Sequence, residues 1–264
     1  MGKESGTMHV AINASEIGRR RGGNESYLTG LIDGLAELDP STRVSLLTCD
    51  LDGPLELPSA FQQVGLGSYR RLPFFLWQQT LALRRLNPDW YVSTFFLPLV
   101  APCRQAVLIH DLSFRAHPEY FPPVVSLYMR LLTELSIRRA DRVVALSDFT
   151  LDELARFHPR SIGKTVRVYP GVHRTFQAGP KADEVVLRAH RVDSAYILAM
   201  GNIHPRKNLS CLLDAYLHLR KHRSSIPKMV WVGAPRWGSG ELLERARSAG
   251  VVLTGFVAQE DLPA

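Results

Sequence analysis

The amino-acid sequence predicts an α/β fold built on two parallel sheets. Three observations carry this. Strand-like and helix-like segments alternate along the chain. The strand-like runs are apolar and rich in valine, leucine and isoleucine, as strands covered on both faces are. Around 170–193 the alternation stops in a stretch of proline, glycine and charge, and then it restarts.

Taken in order, HVAIN at 9–13 is the first strand. The loop SEIGRRRGGNESY at 15–27 leads into an amphipathic helix over 25–37, with Asn24 placed to cap it. RVSLLT at 43–48 is a strand, 72–86 a helix, and WYVST at 90–94 and QAVLIH at 105–110 are strands. A helix over 124–139 puts Leu127, Leu131, Leu132 and Leu135 on one face. RVVAL at 142–146 is a strand, Ser147 is an N-cap for the helix through Phe157, and TVRVY at 165–169 ends the first set. The second set is YILAM at 196–200, a helix over 208–221, KMVWVG at 228–233, a helix over 240–249 and VVLTG at 251–255. The predicted organisation is a first Rossmann-like domain over 1–175, a linker over 176–194 and a second domain over 195–264. Three strands are fewer than a doubly wound domain needs, so the second domain reads as incomplete.

The 264 residues are 45% hydrophobic and 22% charged, the balance of a soluble globular protein with room for a sizeable core. A formal charge of +7 favours anionic partners, whether nucleic acid, acidic lipid or phosphorylated small molecules. No nucleic-acid motif and no platform of interleaved aromatic and basic residues accompanies that charge, so no nucleic-acid partner is expected. Cys49, Cys103 and Cys211 are scattered, with no CxxC pair and no metal-ligand cluster. They fit a reduced, cytoplasmic setting, and no metal is expected. Residues 1–7 carry no signal peptide, and the apolar stretch 91–103 holds two prolines and is too short to span a bilayer.

The chemistry gathers where strands end. In GNIHPRKNLSCLLDAY at 201–216, Arg206 and Lys207 stand between the glycine that ends a strand and a helix that opens at Asn208. In open α/β sheets ligands bind beyond the carboxyl ends of strands, and helix N-termini favour anions there. Cations at a helix start oppose its dipole unless an anion is bound, so the pair reads as a phosphate or diphosphate site; the competing reading is two solvated charges. In the first loop Gly22 and Gly23 allow close backbone approach to a ligand, and Arg19, Arg20 and Arg21 add positive charge. The loop is not GxGxxG, and a turn with a basic solvated tip explains it equally well. His110 and Asp111 lie at another strand end, as a site or as ordinary loop residues, and capping alone accounts for Ser147.

Several stretches agree on one family. IHDLSFRAHPEYFP, ADRVVALSDFT, VYPGV, ILAMGNIHPRKNLSCLLDAY and VVLTGFVAQEDL occur in order over nearly the whole chain. On these the chain resembles the retaining GT-B glycosyltransferases of family 4, closest to bacterial mannosyltransferase-like members. The resemblance implies two Rossmann-like domains facing a cleft, with a nucleotide-diphosphate sugar (GDP-, UDP-, ADP- or dTDP-linked) as co-substrate and no cofactor. It implies that Arg206 and Lys207 hold the diphosphate near Gly201, that Gly22 and Gly23 supply backbone N–H groups, and that His110 sits near the transferred sugar. Gly255, Phe256 and Val257 would pack around the base. Arg19, Arg20, Arg21, Asp111 and Ser147 are candidates for the acceptor side. The implied reaction moves a hexose, mannose in the nearest members, to a glycan or lipid-linked acceptor with retention of configuration.

The chain departs from the family pattern at Asn202, where many members carry arginine, and at His173, where aspartate is expected. The family's pair of glutamates eight positions apart, which grips the donor, has no match in the chain. A truncated, inactive donor- or acceptor-binding module is therefore the competing reading. YRRLPFFLWQQTLALRRLN at 69–87, flanked by arginines, is either an interfacial surface for anionic lipid at the inner membrane face or a helix with snorkelling arginines.

Overall fold

The computed structural model describes residues 7–18, 23–38, 41–50, 55, 57, 59–70, 73–172, 176, 183–192, 195–223, 225–235, 239–258 and 261–263. The expectations for Arg19, Arg20, Arg21, Gly22, Leu72, His173 and linker residues 177–182 and 193–194 lie outside the described residues. The chain divides into two compact units, Met1–Gly171 and Val172–Ala264.

The first unit is a seven-stranded, all-parallel sheet. Its strands are β1 His9–Asn13, β2 Arg43–Thr48, β3 Phe61–Gly65, β4 Trp90–Thr94, β5 Arg104–Ile109, β6 Arg142–Ala145 and β7 Thr165–Arg167. They lie in the order β3-β2-β1-β4-β5-β6-β7, so the winding reverses between β1 and β4. Ala11 is in register with both Ser45 and Tyr91 across that point. Successive side chains feed opposite faces. Ala11, Leu47, Tyr91 and Val107 join one core cluster, and Ile12, Val44 and Leu46 another. Helix α1, Gly23–Leu38, covers the second cluster with Leu28 and Ile32. The first cluster is covered by α2 Gln79–Leu86, α3 Ser113–Ala116, α4 Pro123–Arg139 and α5 Asp148–Phe157. Burial on both faces is why these strands read as apolar runs.

Three details correct the sequence reading, and a fourth adds to it. Strand β3 is absent from that reading because FQQVG carries two glutamines. Their amides donate to β2 hydroxyls, Gln62 to Ser45 Oγ (2.7 Å) and Gln63 to Thr48 Oγ1 (3.2 Å), so polar side chains satisfy an edge strand. The helix predicted over 72–86 opens as a π-helical turn, Phe74–Gln78, before α2 begins. Asn24 lies inside α1 rather than capping it. The leucines of α4 lie on one face as expected, and Leu127, Leu131 and Leu135 of that face are turned to solvent; Ser126, Thr133, Ser136 and Ile137 are the residues the helix buries.

The second unit carries α6 Glu184–Ala189, within the stretch predicted as linker; Asp183 caps it by accepting from Val185 N (2.9 Å). A parallel sheet follows, of β8 Tyr196–Met200, β9 Lys228–Val232 and β10 Val252–Gly255 in the order β10-β9-β8. Helices α7 Leu209–His222 and α8 Gly240–Ser248 pack Leu213, Tyr216, Leu243 and Ala246 against Met229 and Trp231. On β8, Ile197 and Ala199 pack on that core, whereas Leu198 and Met200 are exposed.

Candidate functional site

In the first unit the candidate site is built at the reversal of strand order, where crevices form in open α/β sheets. Asn13 ends β1, buried, and its Nδ2 donates to Ser93 Oγ on β4 (3.0 Å) while its Oδ1 accepts from Ser15 N (3.1 Å). Beyond β4, Phe95 adopts φ +59, a left-handed conformation that costs a bulky residue on the order of 1–3 kcal/mol. The strained turn sets the Phe95 ring against the His110 imidazole, with centroids 5.6 Å apart and planes 24° from parallel. Tyr27 of α1 meets the same imidazole edge-on at 5.1 Å, so the helix behind the glycine loop reaches His110 directly.

His110 follows β5 and its backbone is fixed. Its carbonyl accepts from Thr150 Oγ1 (2.8 Å), and Leu112 N donates to the buried carboxylate of Glu153 (3.1 Å). Burial pushes the pKa of the imidazole down to about 4, against the opposing pull of the Asp111 charge, so His110 is neutral at physiological pH. Its Nε2 is buried and makes no hydrogen bond among the described residues. Buried polar atoms are rarely left so. A fixed, neutral imidazole with one idle nitrogen is suited to a hydrogen bond with a ligand hydroxyl, not to carrying positive charge. Asp111 and Ser147 have local work: Asp111 Oδ1 accepts from Ser113 N (3.0 Å), and Ser147 Oγ caps α5 by accepting from Thr150 N (3.0 Å).

In the second unit all three strands run out into glycines with positive φ: Gly201 at +124°, Gly233 at +142° and Gly255 at +73°. Gly201 N donates to Val232 O (2.8 Å) and Gly233 N to Gly255 O (2.8 Å), tying the three ends into one rim. A Cβ on Gly233 would lie 2.1 Å from the Gly201 carbonyl oxygen, so no side chain fits there. The exposed Lys207 folds back over this rim: a Cβ on Gly201 would stand 3.4 Å from its Cε and 3.8 Å from its Nζ. Arg206, also exposed, is fixed through its backbone N–H, which donates to Nδ1 of buried His204 (3.1 Å). Pro205–Lys207 form a 3-10 turn, and Asn208 at φ +50 starts α7 with no side-chain cap. Beyond Gly255, Phe256 is half exposed and Val257 buried. The two cations thus sit at the uncapped N-terminus of a 14-residue helix, beside a rim of bare backbone. Among the described residues no three His, Cys, Asp or Glu side chains form a metal-binding group.

Residues 21–176 match the sequence profile of Glycosyltransferase Family 4, more than half of the chain. The chain belongs to that family. The Glycosyltransferase Family 4 match includes His110 and strands β2 to β7, and begins after β1. The chain is 28% identical over 193 residues to an O-antigen chain mannosyltransferase B of Escherichia coli, covering 70% of this chain and half the length of that relative. Among solved structures it is similar to Anabaena Alr3699/HepE in complex with UDP-glucose, with 17% identity and a TM-score of 0.64 over 97% of this chain and 70% of that one. It is also similar to a UDP-N-acetylglucosamine 2-epimerase from Rickettsia bellii, at 12% identity and a TM-score of 0.57 over 96% and 69%. At these identities the structures share the fold, and the α/β GT-B class expected from sequence is the one found.

Sequence reasoning missed Asn13, Tyr27, Phe95 and Gly233. Gly233 was legible, since KMVWVG ends in glycine just as the strands before Gly201 and Gly255 do. The aromatic walls around His110 left no local signal, because Tyr27 and Phe95 are far from it in sequence.

Proposed function

We propose that the chain transfers a hexosyl group, mannosyl by preference, from a nucleoside-diphosphate sugar to a glycan or lipid-linked saccharide with retention of configuration. The observation that carries this reading is Lys207 folded over the Gly201 strand end at the start of α7. In the proposed reaction the donor's C1–O bond breaks, the acceptor oxygen bonds C1 on the same face, and the acceptor proton passes to the leaving diphosphate. Negative charge grows on that diphosphate. Lys207, Arg206 and the free N–H groups of α7 stabilise it without reorganising. The positive-φ glycines leave the backbone bare, so the donor can approach it closely. Neutral His110 holds a sugar hydroxyl through Nε2. The second unit takes the donor and the first the acceptor, in the cytoplasm, with the base chosen among GDP, UDP, ADP and dTDP.

The test is a thermal-shift and product assay over sugars of these four nucleotides. One donor is expected to raise the melting temperature and yield transferred hexose plus free nucleoside diphosphate. Lys207→Ala should weaken donor binding at least about tenfold, the loss of one charge-assisted contact. Unchanged affinity in Lys207→Ala sinks the assignment of the site. An epimerised nucleotide sugar with no free diphosphate replaces transfer with isomerisation, and binding without either product leaves a binding module.

A further inference from the structure

Much of the exposed apolar surface of the first unit lies on three neighbouring elements. On α4, Leu127 and Leu131 are 58% and 61% exposed, and Val124 and Leu135 share their face at helical spacing. The π-helical turn and α2 add Leu76, Trp77 and Leu81, each nearly half exposed. The loop after β4 joins the two. Thr80 Oγ1 donates to the Val100 carbonyl (2.7 Å), Arg139 donates to the Leu99 carbonyl, and Leu99 and Val100 are themselves exposed. Phe75, Phe96 and Tyr128 link the helices as a chain of rings, with centroids 5.4 and 6.4 Å apart. Helix α4 turns hydroxyls inward and leucines outward, the reverse of what a core helix does.

The charge on these elements is mainly positive. Arg84 and Arg85 close α2, and Arg130, Arg138 and Arg139 are exposed on α4. Residues 73–86 contain no acid. The one carboxylate of α4, Glu134, is engaged by Arg115 (3.2 Å), Arg138 (2.6 Å) and His158 (2.9 Å). Among the described residues no helix is long and apolar enough to cross a membrane. An apolar face with an arginine rim and Trp77 on it matches acyl chains lying under anionic headgroups.

We propose that α4, the 96–101 loop and the Phe74–Leu86 helical segment form one docking face that lies on an anionic bilayer. Leucines and Trp77 enter the acyl boundary, and the arginines meet the phosphates. The sequence pointed to lipid only over 69–87; the structure adds α4 and makes the face continuous. The inference does not depend on the proposed transfer reaction.

The experiment is flotation of the full chain with vesicles of phosphatidylcholine alone and of phosphatidylcholine mixed with phosphatidylglycerol. Binding is expected on the mixed vesicles, little on the neutral ones, and less as salt rises. Leu127→Ser with Leu131→Ser should lower partitioning at least about tenfold, through lost apolar insertion. Arg84→Glu with Arg85→Glu should remove the preference for phosphatidylglycerol. Both pairs are exposed and lie on different helices, so a folding defect in one, seen by circular dichroism, leaves the other informative. Absence of wild-type flotation on mixed vesicles overturns the proposal, as does flotation indifferent to both pairs. A dimer in sedimentation velocity that the leucine pair dissociates, with no vesicle binding, assigns the face to a second copy and equally overturns it.

Discussion

His110 concentrates the residue-scale argument. Its ring is stacked by Phe95, edged by Tyr27 and left with a buried nitrogen that has no hydrogen-bond partner among the described residues. An unsatisfied buried polar atom lowers stability by about 1–3 kcal/mol. His110→Phe keeps an aromatic ring between those walls and removes the idle atom. The variant is expected to unfold about 1 kcal/mol harder in urea, while the proposed hexosyl transfer falls at least about tenfold. Equal or lower stability would count against the idle-nitrogen reading, and undiminished transfer would remove His110 from the site. The residue type was legible in the sequence as a histidine at a strand end. Its protonation state was not, because burial by residues remote in sequence sets it.

At the scale of elements, the three strand ends of the second unit act as one structure. Gly201, Gly233 and Gly255 are tied through Val232 and each other by backbone hydrogen bonds, and the Gly233 position has no room for a Cβ. Gly233→Ala is expected to destabilise the unit by more than about 3 kcal/mol, since both conformation and space forbid it. Gly250→Ala is the control. It also has positive φ, at +75°, but the Cβ it would gain meets nothing within 4 Å, so about 1 kcal/mol is expected. Similar denaturant midpoints for the two variants would show that the close contact with Gly201 is not what matters. Every strand but β3, together with α1, α5 and the helix behind Lys207, was legible because apolar period and capping chemistry are local. Strand β3 was not, since its glutamines are satisfied by β2, a partner that the local pattern does not reveal.

At the scale of the molecule, acid should be the weak side. His9, His110 and His158 all have depressed values, each chiefly through burial. The unfolded chain therefore binds more protons than the folded one below the ordinary histidine range, and stability falls as pH drops. For His110 this contribution is complete above about 6.5 and lost toward about 4, on the order of 3 kcal/mol. Chemical unfolding measured at steps from neutral to acid pH should show that decline, and His110→Phe should flatten it. A stability constant over that range would overturn the account.

The sequence by itself determined the α/β class, the parallel strands, the break between two sets of them, and the cations behind a strand-ending glycine. Each of these is written in neighbouring residues, as apolar period, turn chemistry or charge. Only the tertiary structure decided that β1 and β4 meet at the reversal of order, that Phe95 and Tyr27 wall His110, that Lys207 lies back over Gly201, and that the leucines of α4 face outward. The physical reason is the same in each case: burial, ring contact and close backbone approach depend on which distant segments pack together, and periodicity shows that a face exists without showing what covers it.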